Sequence, residues 1–384
     1  MTQALPHDLA AGSFALRLMT PEGPVVHALQ GGEAFDMTPA FGTASAWMNS
    51  EDPVAAIRAR GVPVALDLPA ALANAHHAAR DPAKPWLLAP VDLQVIKAAG
   101  VTYVRSMLER VIEERCRGDA SQAETIRAEV RRIIGDDLAN LVPGSPEAMA
   151  VKAALVAKGW WSQYLEVGIG ADAEIFTKAP VLSAVGPGAK VGVHPVSQWS
   201  NPEPEAVMVV NAQGRIVGAA LGNDVNLRDV EGRSALLLGR AKDNNAACSI
   251  GPLVRLFDES FTLEDVRQAE LTLTITGRDG FALQDSGRIG DISRDPTDLV
   301  GQMIGAHHQY PDGAVLFLGT PFSPSKDRGA PGMGFTHHPG DVVRIATPRL
   351  GALENEVDRT DSCPPWAFGI GALMASLARR GHPA

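Results

Sequence analysis

Two four-residue turn signals set the period of the second half of this chain. Asn211-Ala212-Gln213-Gly214 lies between Ala206 to Val210 and Arg215 to Ala219, and Gly277-Arg278-Asp279-Gly280 lies between Leu271 to Thr276 and Phe281 to Gln284. Short β-prone segments joined by turns that end in glycine read as hairpins. Ala314 to Leu318 and Asp341 to Thr347 read as further strands. From Pro143 onward Gly and Pro punctuate the chain at strand spacing. That texture predicts an all-β core, a barrel or curled sheets, decorated by helices.

The first half reads differently. Phe14 to Met19 and Val25 to Leu29 are expected strands around the turn Pro21-Glu22-Gly23-Pro24, and Asp52 to Arg60 and Leu68 to Ala79 are expected helices. Asp81-Pro82-Ala83-Lys84-Pro85 reads as a linker. A chain of 384 residues exceeds one ordinary core, so residues 1–86 are expected as a small mixed domain and 87–384 as the main one. Val104 to Leu141 reads as a helical insertion, broken at Gly118-Asp119 and restarted by the capping box of Ser121 and Glu124. Its charge on both arms reads as a solvated surface element; the sharper alternative is a lid over a site. Pro364-Pro365 is expected to start a last helix, Trp366 to Arg379.

Charge and cysteine content remove several classes of function. The formal net charge is -10, and no Lys/Arg run exists to track a phosphate backbone, so no nucleic-acid partner is expected. Trp366 to Ala378, the longest apolar stretch, is too short and interrupted to span a bilayer. Cys116, Cys248 and Cys363 are sparse and odd in number, which argues against a disulfide framework and for a reducing, cytoplasmic compartment. No secretory signal is read in Met1 to Leu16. Nucleotide loops, a GxSxG elbow and an HExxH helix are all missing. His307-His308 and His337-His338 read as surface pairs whose side chains diverge.

Trp199-Ser200-Asn201-Pro202-Glu203-Pro204-Glu205-Ala206-Val207 carries the strongest chemical signal. In extended structure, residues two apart share a face, and each proline holds its predecessor extended. The hairpin then returns Asp224 beside Glu203 and Glu205. Three converging carboxylates repel unless a cation compensates, and an all-oxygen set suits Mg²⁺ or Mn²⁺, with Ca²⁺ also compatible. Spacing alone leaves the alternative open that the two glutamates line a solvent-facing strand.

With Gly222-Asn223-Asp224-Val225-Asn226-Leu227-Arg228-Asp229, Lys242 and Leu318-Gly319-Thr320-Pro321, this segment resembles the fumarylacetoacetate hydrolase family over roughly Leu87 to Val357. The resemblance implies an α+β chain with a mainly β catalytic domain, a curled β-roll, and Mg²⁺ held by Glu203, Glu205 and Asp224. It also implies a small 2-oxo acid substrate and a homodimer or homotetramer. Many hydrolases of the family carry a histidine near the start of the domain. Here Val101-Thr102-Tyr103-Val104-Arg105-Ser106 has Ser106 at that position, which takes away the expected base for hydrolysis. Thr102 to Ser106, Glu174 to Lys178, Trp199 to Glu205 and Asn223 to Asp229 are instead similar to the sugar-acid dehydratase branch.

That branch implies elimination of water from a 2-keto-3-deoxy-pentonate to give 2,5-dioxopentanoate. Glu174 and Lys178 are the candidates for proton transfer. Lys242 is the candidate to stabilise the enolate oxygen, with a structural salt bridge to Glu205 or Asp224 as its alternative. Arg105 and Ser106 are candidates for the substrate carboxylate, and Thr320 for a further hydrogen bond to substrate. Arg228 and Asp229 are expected to pair with each other in support of the Asp224 loop. An acylpyruvate hydrolase, an oxaloacetate decarboxylase and a non-catalytic ligand-binding protein remain as alternatives.

Overall fold

The structure, a computed structural model, describes residues 4–116, 122–126, 128, 141–157, 159, 161–328 and 334–383. Its strands are β1 (Ser13–Thr20), β2 (Gly23–Gln30), β3 (Glu33–Asp36), β4 (Val62–Val64), β5 (Trp86–Leu87), β6 (Val95–Gly100), β7 (Glu174–Ala179), β8 (Lys190–Val193) and β9 (Ser200–Asn201). They continue as β10 (Pro204–Val210), β11 (Ile216–Asp224), β12 (Asn226–Leu227), β13 (Cys248–Leu256), β14 (Glu270–Thr276), β15 (Ala282–Arg288), β16 (Ala314–Phe317), β17 (Val342–Thr347) and β18 (Gly351–Arg359).

One large sheet runs β4-β3-β2-β1-β13-β11-β10-β16-β6-β7, with β5 on β1, and a second runs β15-β14-β17-β18-β8. Pairing is antiparallel except for β16 with β6 and β18 with β8. Both sheets are open, so of the two expected forms the curled sheets are found rather than a barrel. The N-terminal strands do not form a sheet of their own. Phe14 pairs with Arg255 and Ala15 with Val254, so the main sheet runs straight through the boundary placed at residue 86.

Alternation explains how the central strands are used. On β10, Ala206, Met208 and Val210 pack with Leu271, Leu273, Ile275, Val343 and Ile345 of the second sheet. Val207 and Val209 face the other way, onto Trp47, Ile57 and Phe317. A strand buried on both faces needs the continuous apolar run seen here. Glu203 and Glu205 share the parity of Val207, and on β11 Asp224 shares that of Ala220, which lies in the same cluster as Val207. All three carboxylates therefore leave the same face of the sheet.

Gly222 sits opposite Glu205 in the ladder. A Cβ there would come within 2.2 Å of Phe317 Cε1 and 2.6 Å of Val207 Cγ2, both in the packed core. Gly222→Ala is expected to destabilise the chain by about 1–3 kcal/mol through overpacking, read as a lower urea midpoint at unchanged slope.

The helices Val104–Cys116, Pro146–Ala157 and Gln163–Ile169 make a layer with a core of its own, including Met107, Val111, Ile112, Leu155 and Leu165. The expected break at Gly118-Asp119 and the Ser121 cap lie outside the described residues. Two helix expectations are corrected. The helix from Leu68 stops at Ala73, because the Asn74 side chain turns to hold the following loop through Asp81 O, Lys84 O and Pro85 O. The last helix starts at Ile370 after Gly369, and the prolines stand in an irregular lead-in where Pro364 O accepts from Asn245. Among the described residues no helix is long and apolar enough to cross a membrane.

Candidate metal centre

β10 and β11 end side by side, and the ladder is prolonged past Pro204 by Asp224 N donating to Glu203 O at 3.0 Å. This brings one carboxylate oxygen each from Glu203, Glu205 and Asp224 within 4.8 Å of one another. The three residues are 3%, 2% and 1% exposed, which excludes the solvent-facing strand. Glu205 Oε2 accepts from Gly319 N at 2.6 Å, in the turn after β16. That turn requires glycine: φ is +94°, and a Cβ would meet Thr102 Oγ1 at 2.1 Å.

Three cations face the carboxylates. Lys242, the last residue of the helix Leu238–Lys242, donates to Glu203 Oε2 at 2.5 Å and Asp224 Oδ2 at 3.1 Å. It is thus the expected salt bridge to Asp224, with Glu203 as the second partner in place of Glu205. Lys178 Nζ lies 2.8 Å from Asp224 Oδ1 and bonds Val225 O and Lys242 O. Arg110, from the first helix of the helical layer, pairs with Glu203 Oε1 and, at 3.1 Å, with Glu231 Oε2.

Charge is distributed unevenly over this cluster. Burial would raise Glu203, but Lys242 and Arg110 outweigh it and bring its carboxyl down to about 2. Glu205 goes the other way. Burial, then the charges of Asp224 and Glu203, push it well above its ordinary value. Asp224 Oδ1, although close to Lys178, receives no hydrogen bond and is buried. A buried carboxyl whose ionisation its surroundings oppose, and a buried carboxylate oxygen that accepts no hydrogen bond, make an all-oxygen donor set that fits a hard divalent ion. Burial and Glu231 raise Glu174 to about 7, against Arg110 and Lys242.

β7 alternates Glu174, Phe176 and Lys178 onto one face, yet only the first two reach the cavity. It is lined by Gly100, Arg110, Glu174, Phe176, the three carboxylates, Glu231, Lys242 and Thr320 among others, and encloses about 20 Å³. Lys178 is wholly buried in the wall, hydrogen-bonded to two carbonyls and ion-paired with Asp224. Thr320 lines the cavity but donates its hydroxyl to Phe322 O at 2.6 Å. Arg105 and Ser106 stand in the helix Val104–Cys116, and their side chains lie outside the described residues. A larger apolar cavity of about 1100 Å³ opens between Leu5, Leu68 and Leu72 and the strands β17 and β18; none of the three carboxylates lines it.

Two expectations are changed here. Arg228 and Asp229 do not pair. Arg228 donates to Asn201 Oδ1 at 2.9 Å, while Asp229 accepts from Ser197 Oγ and Gln198 N. His337 is not a surface residue. Its segment is an irregular loop rather than a strand, so the two adjacent rings need not point to opposite faces of a sheet. His337 is buried against Asp341 at 3.3 Å. His307 and His308 are exposed as expected. Arg110 and Glu231 were not anticipated as site residues. The signal was available in the i, i+3, i+4 spacing of Met107, Arg110 and Val111, which puts one arginine on a buried helix face.

Residues 170–358 match the family described as Fumarylacetoacetate (FAA) hydrolase C-terminal. The chain is 34% identical over 195 residues to a probable 2-keto-3-deoxyxylonate dehydratase of Haloferax volcanii, an alignment covering 50% of this chain and 63% of that one. It is 28% identical over 186 residues to a 2-dehydro-3-deoxy-D-arabinonate dehydratase of Saccharolobus solfataricus, covering 48% and 59%. It thus spans about three fifths of the length of these curated relatives. A solved 2-keto-3-deoxy-D-arabinonate dehydratase, complexed with magnesium and 2,5-dioxopentanoate, superposes with a TM-score of 0.60 at 19% identity, over 90% of this chain and 99% of that one. At that identity the likeness is one of fold.

Proposed function

We infer that this chain is a hydro-lyase that converts a 2-keto-3-deoxy-pentonate to 2,5-dioxopentanoate and water, with Mg²⁺ held by Glu203, Glu205 and Asp224. The observation that carries this reading is the buried convergence of those three carboxylates beside a fourth, Glu174, whose pKa near 7 suits proton exchange. The activities named for the two relatives support the same reaction. A divalent cation there supplies a Lewis acid for the carboxylate and 2-oxo group of the substrate, which favours loss of the C3 proton.

The chain's own residues do the rest. Glu174, ionised, takes the proton from C3. The same carboxyl, now protonated, gives it to the departing C4 hydroxyl, and water leaves. Elimination leaves a C3=C4 double bond conjugated to the 2-oxo group. Loss of a C5 proton and return of a proton to C3 move it to C4=C5, and that enol gives up its hydroxyl proton and takes one at C4 to become the aldehyde. Lys242 places a fixed positive charge where negative charge develops on the C2 oxygen. Burial opposes the charge of Lys242, but Asp224 and Glu203 outweigh it and hold the ammonium protonated, above its ordinary value. Phe176 walls the cavity against water. Lys178 serves by fixing Asp224 rather than by moving protons. No histidine lines the cavity among the described residues, so no observation favours hydrolysis. Arg105, Ser106 and Thr320 stay in the reading as substrate contacts, and the enzyme is read as a cytoplasmic homodimer or homotetramer.

The test is a coupled assay of the purified chain with Mg²⁺ and a panel of 2-keto-3-deoxy acids, following semialdehyde formation. Absence of semialdehyde with every five-carbon substrate sinks the reading. Within it, Glu174→Gln is expected to lower kcat by about 100-fold or more while Mg²⁺ affinity changes little, measured by turnover and by calorimetric titration.

A further inference from the structure

Both carboxylate oxygens of Glu203 are already engaged, Oε1 by Arg110 and Oε2 by Lys242. The cations around the centre are not equivalent. Lys178 is fixed in the wall by two backbone carbonyls. Lys242 spans Glu203 and Asp224 from the end of its own short helix. Arg110 alone arrives from the helical layer, whose core of Met107, Val111 and Leu165 is separate from the two cores that hold the sheets. It also has a second carboxylate within reach, Glu231, at 3.1 Å.

Two quantities show what its position costs. Glu203, Glu205 and Asp224 carry at most three negative charges, and Lys178, Lys242 and Arg110 supply three positive ones. A divalent ion on Glu203 would lie against the Arg110 guanidinium on the same carboxylate, and two like charges so placed repel unless one withdraws. The cavity of about 20 Å³ has room for about one water, far less than a five-carbon acid needs.

We propose that Arg110 is a stand-in cation: in the metal-free chain its guanidinium takes the place of the divalent ion on Glu203, and metal entry releases it from Glu203, leaves it on Glu231 and clears the cavity. This deepens the metal reading above and rests on it. Arg110 is the cation able to leave, because it has another acidic partner and stands on a helix whose apolar core is separate from the cores of the sheets. The exchange sets metal affinity below what three buried carboxylates would otherwise give. It also couples metal loading to opening of the substrate space.

The test needs no substrate. The full chain is stripped with EDTA and titrated with Mn²⁺, following the free ion by electron paramagnetic resonance. Arg110→Met is expected to bind Mn²⁺ at least about tenfold more tightly than the unaltered chain, since a competing charge is gone and the apolar stem is kept. Arg110→Lys is expected to fall between them, because a compact ammonium cannot bridge Glu203 and Glu231 as a guanidinium does. Equal or weaker affinity in a cooperatively melting Arg110→Met protein overturns the stand-in role and leaves the metal site standing. If Arg110→Met does not fold, Arg110→Lys decides, and affinity no tighter than that of the unaltered chain overturns the proposal. Absence of Mn²⁺ binding in every protein overturns both this proposal and the metal reading.

Discussion

Glu205→Gln is expected to cut divalent-metal affinity by at least about 100-fold, beyond the loss seen when a residue supporting a ligand is removed, and to abolish turnover. In the absence of metal it is expected to stabilise the protein. The reason lies in what surrounds this carboxyl. Glu205 is buried, it accepts a hydrogen bond from Gly319 N, and its nearest charged neighbours include Asp224 and Glu203. Lys242 and Arg110 are already committed to Glu203. A glutamine has the same shape and accepts the same bond from Gly319 without the buried charge. Thermal melts at pH 8 in EDTA should place the variant on the order of 2 °C or more above the unaltered chain. Added Mg²⁺ should raise the melting temperature of the unaltered chain and leave the variant where it was. A variant that melts lower in EDTA shows that Glu205 is structural, and one that keeps its response to Mg²⁺ shows that it is no ligand.

The same site shows which parts of such a chain can be read from sequence. Strand parity is local, so Glu203 and Glu205 could be placed on one face from their spacing, and the hairpin at Asn211-Gly214 was enough to bring Asp224 back to them. Glu174 and Lys178 were readable as one face of β7 for the same reason, but not which of them reaches the cavity. That depends on the wall built by Val225 and the end of the Leu238–Lys242 helix, which lie far away in the chain. Arg110 was lost in a helix whose charge reads as a solvated surface. A helix face is known to be buried only once something packs on it. The pairing of β1 with β13 joins residues some 240 positions apart, and neither segment carries a mark of the other. Local periodicity identified the ligands; long-range packing decided the charges around them.

Asp341→Ala is expected to destabilise the chain by about 3 kcal/mol or more, the range for breaking a buried ion pair by removing one partner. Asp341 is fully buried and takes two hydrogen bonds from Arg328, at 2.6 and 2.7 Å, with others from His338 N and the His337 ring. Alanine leaves the guanidinium of Arg328 with the half-exposed Asp279 as its carboxylate partner, beside Thr336 O. Removing both charges, as Arg328→Met with Asp341→Leu, should recover part of the loss, because an unpaired buried charge costs more than an absent pair. Burial opposes ionisation of Asp341, but His337 and Arg328 outweigh it and hold the carboxyl far below its ordinary 3.8. A depressed acid contributes its stability in full above that ordinary value and loses it as pH falls toward the folded one. The difference in melting temperature between Asp341→Ala and the unaltered chain should therefore be constant from pH 8 to pH 5 and shrink below about pH 4. The effect should extend to the metal. The loop held by Asp341 closes on β9 through His337 N to Ser200 O and Ser200 N to Thr336 Oγ1, and β9 leads within two residues into Glu203. A loosened loop lets that strand end shift, so Mn²⁺ affinity should fall by about 10-fold, as for other supports of ligand geometry. A variant as stable as the unaltered chain would show that the Arg328 pair contributes nothing net. Unchanged Mn²⁺ affinity in a destabilised variant would show that β9 is held by the sheet alone.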